Sequence, residues 1–284
     1  MAQGYQSLGG QDRSAQAPDD TTIAYTVRND GDTGSAVPVL LIHALAQDRS
    51  NWDCVMAVLG DRCRVMAVDC RGHGASGAGE GPFDVFRFAD DLIAVLDVEG
   101  CERAVVAGCS MGGCVALAMA SRYPERVCGL VLVDTTAWYG EDAVTTWGER
   151  ARKGCEEGLE SLVPFQRDRW FSDVFRRDHP ARVDQAVEVF LRNEPDSYAK
   201  SCTMLGQVDL REAAARVRVP AHILVGEQDY ATPPAAAHAL SELLAHSELK
   251  VLPGARHFTP IEEPHPIAEA IIALARSAGE GSAR

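Results

Sequence analysis

An α/β fold, with a mostly parallel sheet and helices on both faces, follows from three features of this 284-residue chain. Short continuous apolar runs recur along it, as in strands that are covered on both sides. Between them lie segments whose apolar residues return at three- and four-residue steps, as in amphipathic helices. The two kinds alternate, so crossover helices join neighbouring strands and make them parallel.

The strand-like runs begin with TTIAYTV from Thr21 and continue with VPVLLIH (37–43), CRVMAVD (63–69), RAVVAG (103–108), RVCGLVLVD (126–134), AHILVG (221–226) and LKVLPG (249–254). Helices are predicted over 84–99, where Val85, Phe88, Leu92, Val95 and Leu96 share a face, and over 111–123, 235–244 and 266–275. From about Ala137 the alternation stops, and the chain reads as amphipathic helices, for example Val183, Ala186, Val187, Phe190 and Leu191 on one face. The expected division is a flexible tail at 1–19, a first core part at 20–136, a helical cap inserted at 137–212 over one end of the sheet, a second core part at 213–276 and a C-terminal tail at 277–284.

Lys and Arg number 27 against 41 Asp and Glu, a net charge of -14, which excludes an electrostatic nucleic-acid surface and a polybasic membrane anchor. No apolar run approaches the ~20 residues that span a bilayer, and MAQGYQSLGGQDRSAQAPDD at the start has no apolar signal core. The nine cysteines, an odd count without CxxC, read as reduced thiols, and no His cluster has metal-ligand spacing. The expectation is a cytoplasmic protein with no metal and no cofactor.

The sharpest chemical feature is Gly108-Cys109-Ser110-Met111-Gly112-Gly113, which follows an apolar strand and opens a helix. A serine on such a strained turn points its hydroxyl into the cleft above the strand ends. Cys109, just before it, should turn into the core as a small buried hydrophobe. A serine needs a neighbouring base, and His257, in the loop after the last strand, sits where α/β sheets place their sites. Of the other seven histidines, His179, His238, His246 and His265 lie in polar or helical contexts and His222 opens the AHILVG run at a strand edge. Asp229 follows the AHILVG strand and completes the chain order Ser110, Asp229, His257; Asp134 at the end of LVLVD and Glu227 are its rivals. Backbone N–H groups of Met111 and of Leu45, in the loop after VPVLLIH, are the expected oxyanion donors, with His43 holding that loop by side-chain hydrogen bonds.

From residue 21 to about 276 the chain resembles the α/β-hydrolase-fold enzymes. VDCRGHGAS (68–76) is similar to that family's D-x-R-G-x-G-x-S turn, ASRYPERVCGLVLVDTTA (120–137) to its link from the serine helix to the next strand, and VRVPAHILVGEQDYATPP (217–234) to its acid-loop segment. It departs at His43-Ala44, where many relatives have His-Gly; alanine fits there only if its φ is not positive. Within the fold, HALAQDRSNWD (43–53), GCSMGG, RWFSDVF (169–175) and DSYAKSCTMLGQVDLRE (196–212) resemble 3-oxoadipate enol-lactonases. That resemblance implies a cofactor-free serine hydrolase for a small-molecule ester or lactone, with Arg169 and Trp170 beside a substrate carboxylate. Otherwise Arg169 is a surface charge and Trp170 a core anchor of the cap. A broad carboxylesterase or a carbon–carbon bond hydrolase would use the same three residues, and a ligand receptor on this fold would use none. No nucleic-acid or membrane partner is expected, and assembly into a homo-oligomer is left open.

Overall fold

The computed structural model describes residues 10–31 and 37–282. Eight strands, β1 (Gln11–Gln16), β2 (Thr22–Arg28), β3 (Val39–Ile42), β4 (Val65–Val68), β5 (Ala104–Cys109), β6 (Val127–Val133), β7 (Ala221–Gly226) and β8 (Ser247–Leu252), form one sheet in the order β1-β2-β4-β3-β5-β6-β7-β8. β1 and β2 are antiparallel to their neighbours, and all other pairings are parallel.

The helices of the core are α1 (Asp53–Leu59), α2 (Val85–Val98) and α3 (Met111–Arg122). Between β6 and β7 come α4 (Ala143–Glu156), α5 (Val163–Trp170), α6 (Asp173–Asp178), α7 (Pro180–Leu191), α8 (Pro195–Gly206) and α9 (Arg211–Arg216), and the chain closes with α10 (Pro234–Leu243), α11 (Thr259–Glu262) and α12 (Pro264–Ser282). Helices cover both faces: α1 packs on α12, which lies on β5 and β6, while α2 and α3 pack together with α3 against the same two strands. Fully buried Val, Leu, Ile and Ala of β3, β4, β5 and β6 supply the centre of the core. No helix among the described residues is long and apolar enough to cross a membrane.

Registry brings the site loops to one rim. Ile42 pairs with Gly108 and Cys109 with Val133, so the chain leaves β3, β5 and β6 at one level of the sheet, the carboxyl end where α/β sheets hold ligands. The turn from Asp69 to Ser76 braces that rim. Asp69 accepts from the main-chain N–H of Arg49 (2.8 Å) and Ala75 (2.9 Å), and the fully buried Arg71 is paired with Asp91 of α2.

Several expectations are corrected. The tail expected at 1–19 is partly sheet, because β1 is an edge strand whose polar side chains face solvent and whose one fully inward residue is Ala15. Residues 1–9 lie outside the described residues. The tail expected at 277–284 continues α12 to Ser282, with Ile271, Leu274 and Ala275 anchoring that helix in the core; 283–284 lie outside the described residues. The last strand runs two residues earlier than LKVLPG implies, since its alternating, half-exposed pattern suits an edge. α1 had no clear period in the sequence, and in α7 Val189 is buried whereas Leu191 is exposed.

β1 is tied to the body by charge. The Glu99 carboxylate, only 2% exposed, accepts from Arg13 (2.7 Å), Arg64 (2.5 Å) and the Tyr25 hydroxyl (2.6 Å). Removing one member of such a buried cluster strands the others. Glu99→Ala is therefore expected to lower unfolding free energy by about 3 kcal/mol in chemical denaturation, whereas an unchanged midpoint would mean that the cluster contributes nothing.

Candidate active site

Ser110 joins β5 to α3 with φ 53° and ψ -113°, a left-handed conformation that L side chains avoid. Its neighbours permit it. A Cβ on Gly108 would stand 2.1 Å from the Gly112 carbonyl oxygen, and one on Gly112 would stand 2.2 Å from that of Ile42. Glycine at both positions lets α3 press against the ends of β3 and β5. The Thr135 hydroxyl donates to the Ser110 carbonyl (2.7 Å) and fixes the turn from the next strand. Cys109 is fully buried, and burial pushes its thiol well up, so it stays protonated.

The Ser110 hydroxyl lies 2.9 Å from Nε2 of His257, and Nδ1–H of His257 donates to Oδ2 of Asp229 at 2.8 Å. All three side chains are buried. Asp229 is oriented in turn by the N–H groups of Ala231 (2.7 Å) and Thr232 (3.0 Å) and by the Thr232 hydroxyl (2.9 Å). Such a line holds one imidazole tautomer, leaves Nε2 free to take the serine proton, and stabilises the imidazolium that results.

The rival acids are elsewhere. Glu227 accepts from the N–H of Gly254 (2.9 Å) and shapes its own loop. Asp134, fully buried with φ 47°, accepts from the N–H of Gly226 (3.0 Å) and from the N–H (3.0 Å) and hydroxyl (2.6 Å) of Thr259. Burial, then the nearby Asp229, push its carboxyl well above the ordinary range. It thus braces the roots of both the Asp229 and the His257 loops without touching the imidazole.

Met111 is the first residue of α3, so its N–H has no acceptor within the helix. Leu45 lines the same chamber as Ser110 and His257. Ala44 is not among the positive-φ residues, so alanine is tolerated there; the left-handed residue of this loop is Ala46, φ 56°. His43 is fully buried, donates from Nδ1 to the Ala44 carbonyl (2.7 Å) and accepts at Nε2 from the Cys70 N–H (2.9 Å).

The chamber holds about 30 Å³, and Tyr139, Trp147, Arg150, Arg169 and Ala231 separate it from an outer hollow of about 680 Å³ at α4 and α5. Trp170 stacks on Phe258 (4.8 Å) and meets Phe190 edge-on, while its carbonyl accepts the Phe258 N–H (2.9 Å). Arg169 lies over the Phe165 ring (4.8 Å) and donates to the Tyr230 carbonyl (3.1 Å). Both also line the serine chamber. Arg176 and Arg177 pair at the surface with Asp173 and Asp178. A further hollow of about 590 Å³ beside α7 and α8, lined by Asp48, Asp69 and Arg192, includes none of these groups.

The model of the alpha/beta hydrolase family matches residues 39–270. The chain belongs to that family. Over 238 residues it is 32% identical to 3-oxoadipate enol-lactonase 2 of Acinetobacter baylyi, covering 84% of this chain and 88% of that protein. Among solved structures, the enol-lactonase from Burkholderia xenovorans aligns with a TM-score of 0.86 at 29% identity, over 92% of this chain and 99% of that one. A thermophilic esterase from Thermogutta terrifontis, malate bound, aligns with a TM-score of 0.86 at 28% identity, over 95% and 99%.

Several residues around the serine of this alpha/beta hydrolase escaped sequence reasoning. Tyr139, Trp147, Arg150 and Gln166 all line the chamber, and the Tyr139 hydroxyl lies toward that of Ser110 and 3.7 Å from the Cys114 thiol. They come from the cap and its approach, where no motif marks them. The run of Trp and Arg in 138–170 was the available sign.

Burial of the hydrolase's His43 lowers its pKa to about 4, and that of His73, whose ring centroid lies 5.0 Å away, to about 3. Unfolding returns each to about 6.5, so the unfolded chain binds more protons between those values. The stability owed to neutral His43 is complete above about pH 6.5 and is lost as pH falls toward 4. Denaturation across that window is expected to show a slope worth on the order of 3 kcal/mol from His43, reduced in His43→Gln. An identical slope in the variant would contradict the assignment.

Proposed function

We propose that the protein hydrolyses a small acidic enol-lactone, such as 3-oxoadipate enol-lactone, through an acyl-enzyme on Ser110. The observation that carries this reading is the line Ser110–His257–Asp229 facing a chamber whose cap wall includes Arg169 and Trp170. His257 takes the Ser110 proton as Oγ attacks the lactone carbonyl, and the N–H groups of Met111 and Leu45 receive the developing oxyanion. The ring C–O bond then breaks. His257 returns the proton to the leaving oxygen, which becomes an enol and tautomerises to the ketone. Water activated by His257 attacks the acyl-enzyme, Ser110 is protonated again, and the free acid departs. Asp229 holds the imidazole throughout. Arg169 offers a planar fork to the substrate carboxylate, and Trp170 supplies an apolar wall.

The identity to an enol-lactonase of Acinetobacter baylyi over most of both chains supports the substrate class. A broader carboxylesterase is the second reading, favoured by the similarity to the Thermogutta terrifontis esterase and by the aromatic walls of the chamber.

A panel of enol-lactone, phenyl ester and vinylogous diketone tests both. The highest kcat/KM is expected on the enol-lactone, and faster turnover of the phenyl ester would favour the esterase. Ser110→Ala should lower kcat by roughly 10⁴–10⁶ and abolish labelling by a fluorophosphonate; a variant that keeps most of its activity would sink the mechanism.

A further inference from the structure

Three hydrogen-bonding side chains, Gln166, Arg150 and Arg169, line the chamber, and Gln166 has a buried donor without an acceptor. Gln166 is 1% exposed, lines the chamber, and its amide Nε2 meets no acceptor among the described residues. Arg150 uses Nε on the Tyr198 hydroxyl (2.7 Å) and lies over Trp147 (4.9 Å), and Arg169 uses one N–H on the Tyr230 carbonyl. Neither arginine forms an ion pair with any described residue. Their neighbours do: Arg167 pairs with Asp184, Arg176 with Asp168, and Arg256 with Asp173.

Burying a donor without an acceptor is costly, and two guanidinium groups on one small cavity repel each other. Burial and then Arg150 hold Arg169 below its ordinary range. Among the described residues no acidic side chain lines the chamber; Asp142, Glu149 and Glu157 line only the outer hollow. A carboxylate would satisfy all three groups at once, with two oxygens for two forks and a remaining lone pair for the amide.

We propose that Gln166 and Arg150 join Arg169 in a single carboxylate site, which selects esters and lactones bearing a free carboxylate a few bonds from the scissile carbonyl. This deepens, and rests on, the hydrolytic reading of Ser110. Gln166 acts here as a specificity-determining residue, and the Tyr198 hydroxyl positions Arg150.

The decisive comparison is an enol-lactone bearing a free carboxylate against its methyl ester. The wild-type preference in kcat/KM for the free acid is expected to be on the order of tenfold or more, since hydrogen bonds to a charged group reach that size. Gln166→Leu and Arg150→Met should shrink the preference mainly through KM, Arg150→Lys should restore part of it, and Gln166→Glu, which adds a like charge, should reverse it. Equal losses on both substrates, with the preference intact, would assign these residues a structural role and overturn the proposal. A binding arm is independent of turnover: glutarate should quench the tryptophan fluorescence of Ser110→Ala, through Trp147 and Trp170, and should fail to do so once Gln166→Glu is added. Quenching that is absent from Ser110→Ala, or that persists in the double variant, also overturns it. If the wild type cleaves neither lactone while glutarate still binds in this pattern, the hydrolytic reading falls and the carboxylate site stands.

Discussion

The bend at Ser110 is the constraint on which the site depends. A non-glycine residue in the left-handed region costs about 1–3 kcal/mol unless its surroundings impose it. Here they do so from three sides: α3 approaches β3 across Gly112, the strand before the bend runs against Gly112 through Gly108, and Thr135 bonds the Ser110 carbonyl. The same close approach brings the start of α3, with its free N–H groups, beside the loop that follows β3. The Ser110 bend, the helix end and the placement of the Leu45 loop are thus consequences of one packing event.

The imidazole is held differently, by links between the cap and the core. Arg256, one residue before His257, donates to the carbonyls of Asp168 (2.8 Å) and Phe171 (3.0 Å), while Glu262 accepts from the N–H groups of Ser172 (3.1 Å) and Arg256 (3.1 Å). With the Phe258 N–H on the Trp170 carbonyl, these bonds fasten the His257 loop to the end of α5. Asp134 supplies the complementary brace from beneath. Any shift of α5 would therefore be felt at both the imidazole and the Arg169 side chain, so the two share a support.

The central strands were legible in the sequence because burial on both faces leaves continuous apolar runs, as in Val39–Ile42 and Val127–Val133. β1 was not, because an edge strand of polar residues has the composition of a tail, and α1 was too short to establish a period. The serine bend was legible because glycine spacing, a preceding strand and a following helix are all local features. His257 and Asp229 were legible as candidates from their places after strands, although Asp134 and Glu227 fit the same chain order.

Choosing among the acids by contact required the fold. Asp134 and Asp229 both follow strands, and only the paths of the loops decide that Asp229 meets the imidazole while Asp134 meets main-chain N–H groups. The cap demanded it most. Helical periodicity separates a buried face from an exposed one, but it does not say that Arg150 of α4 and Gln166 of α5 face the same cavity as Ser110. Sequence alone determined that a candidate nucleophile, acid and base follow strands in that chain order, after β5, β7 and β8. The tertiary structure decided what that chemistry faces, because a pocket wall is assembled from residues distant along the chain and is set by how helices pack, not by any spacing within them.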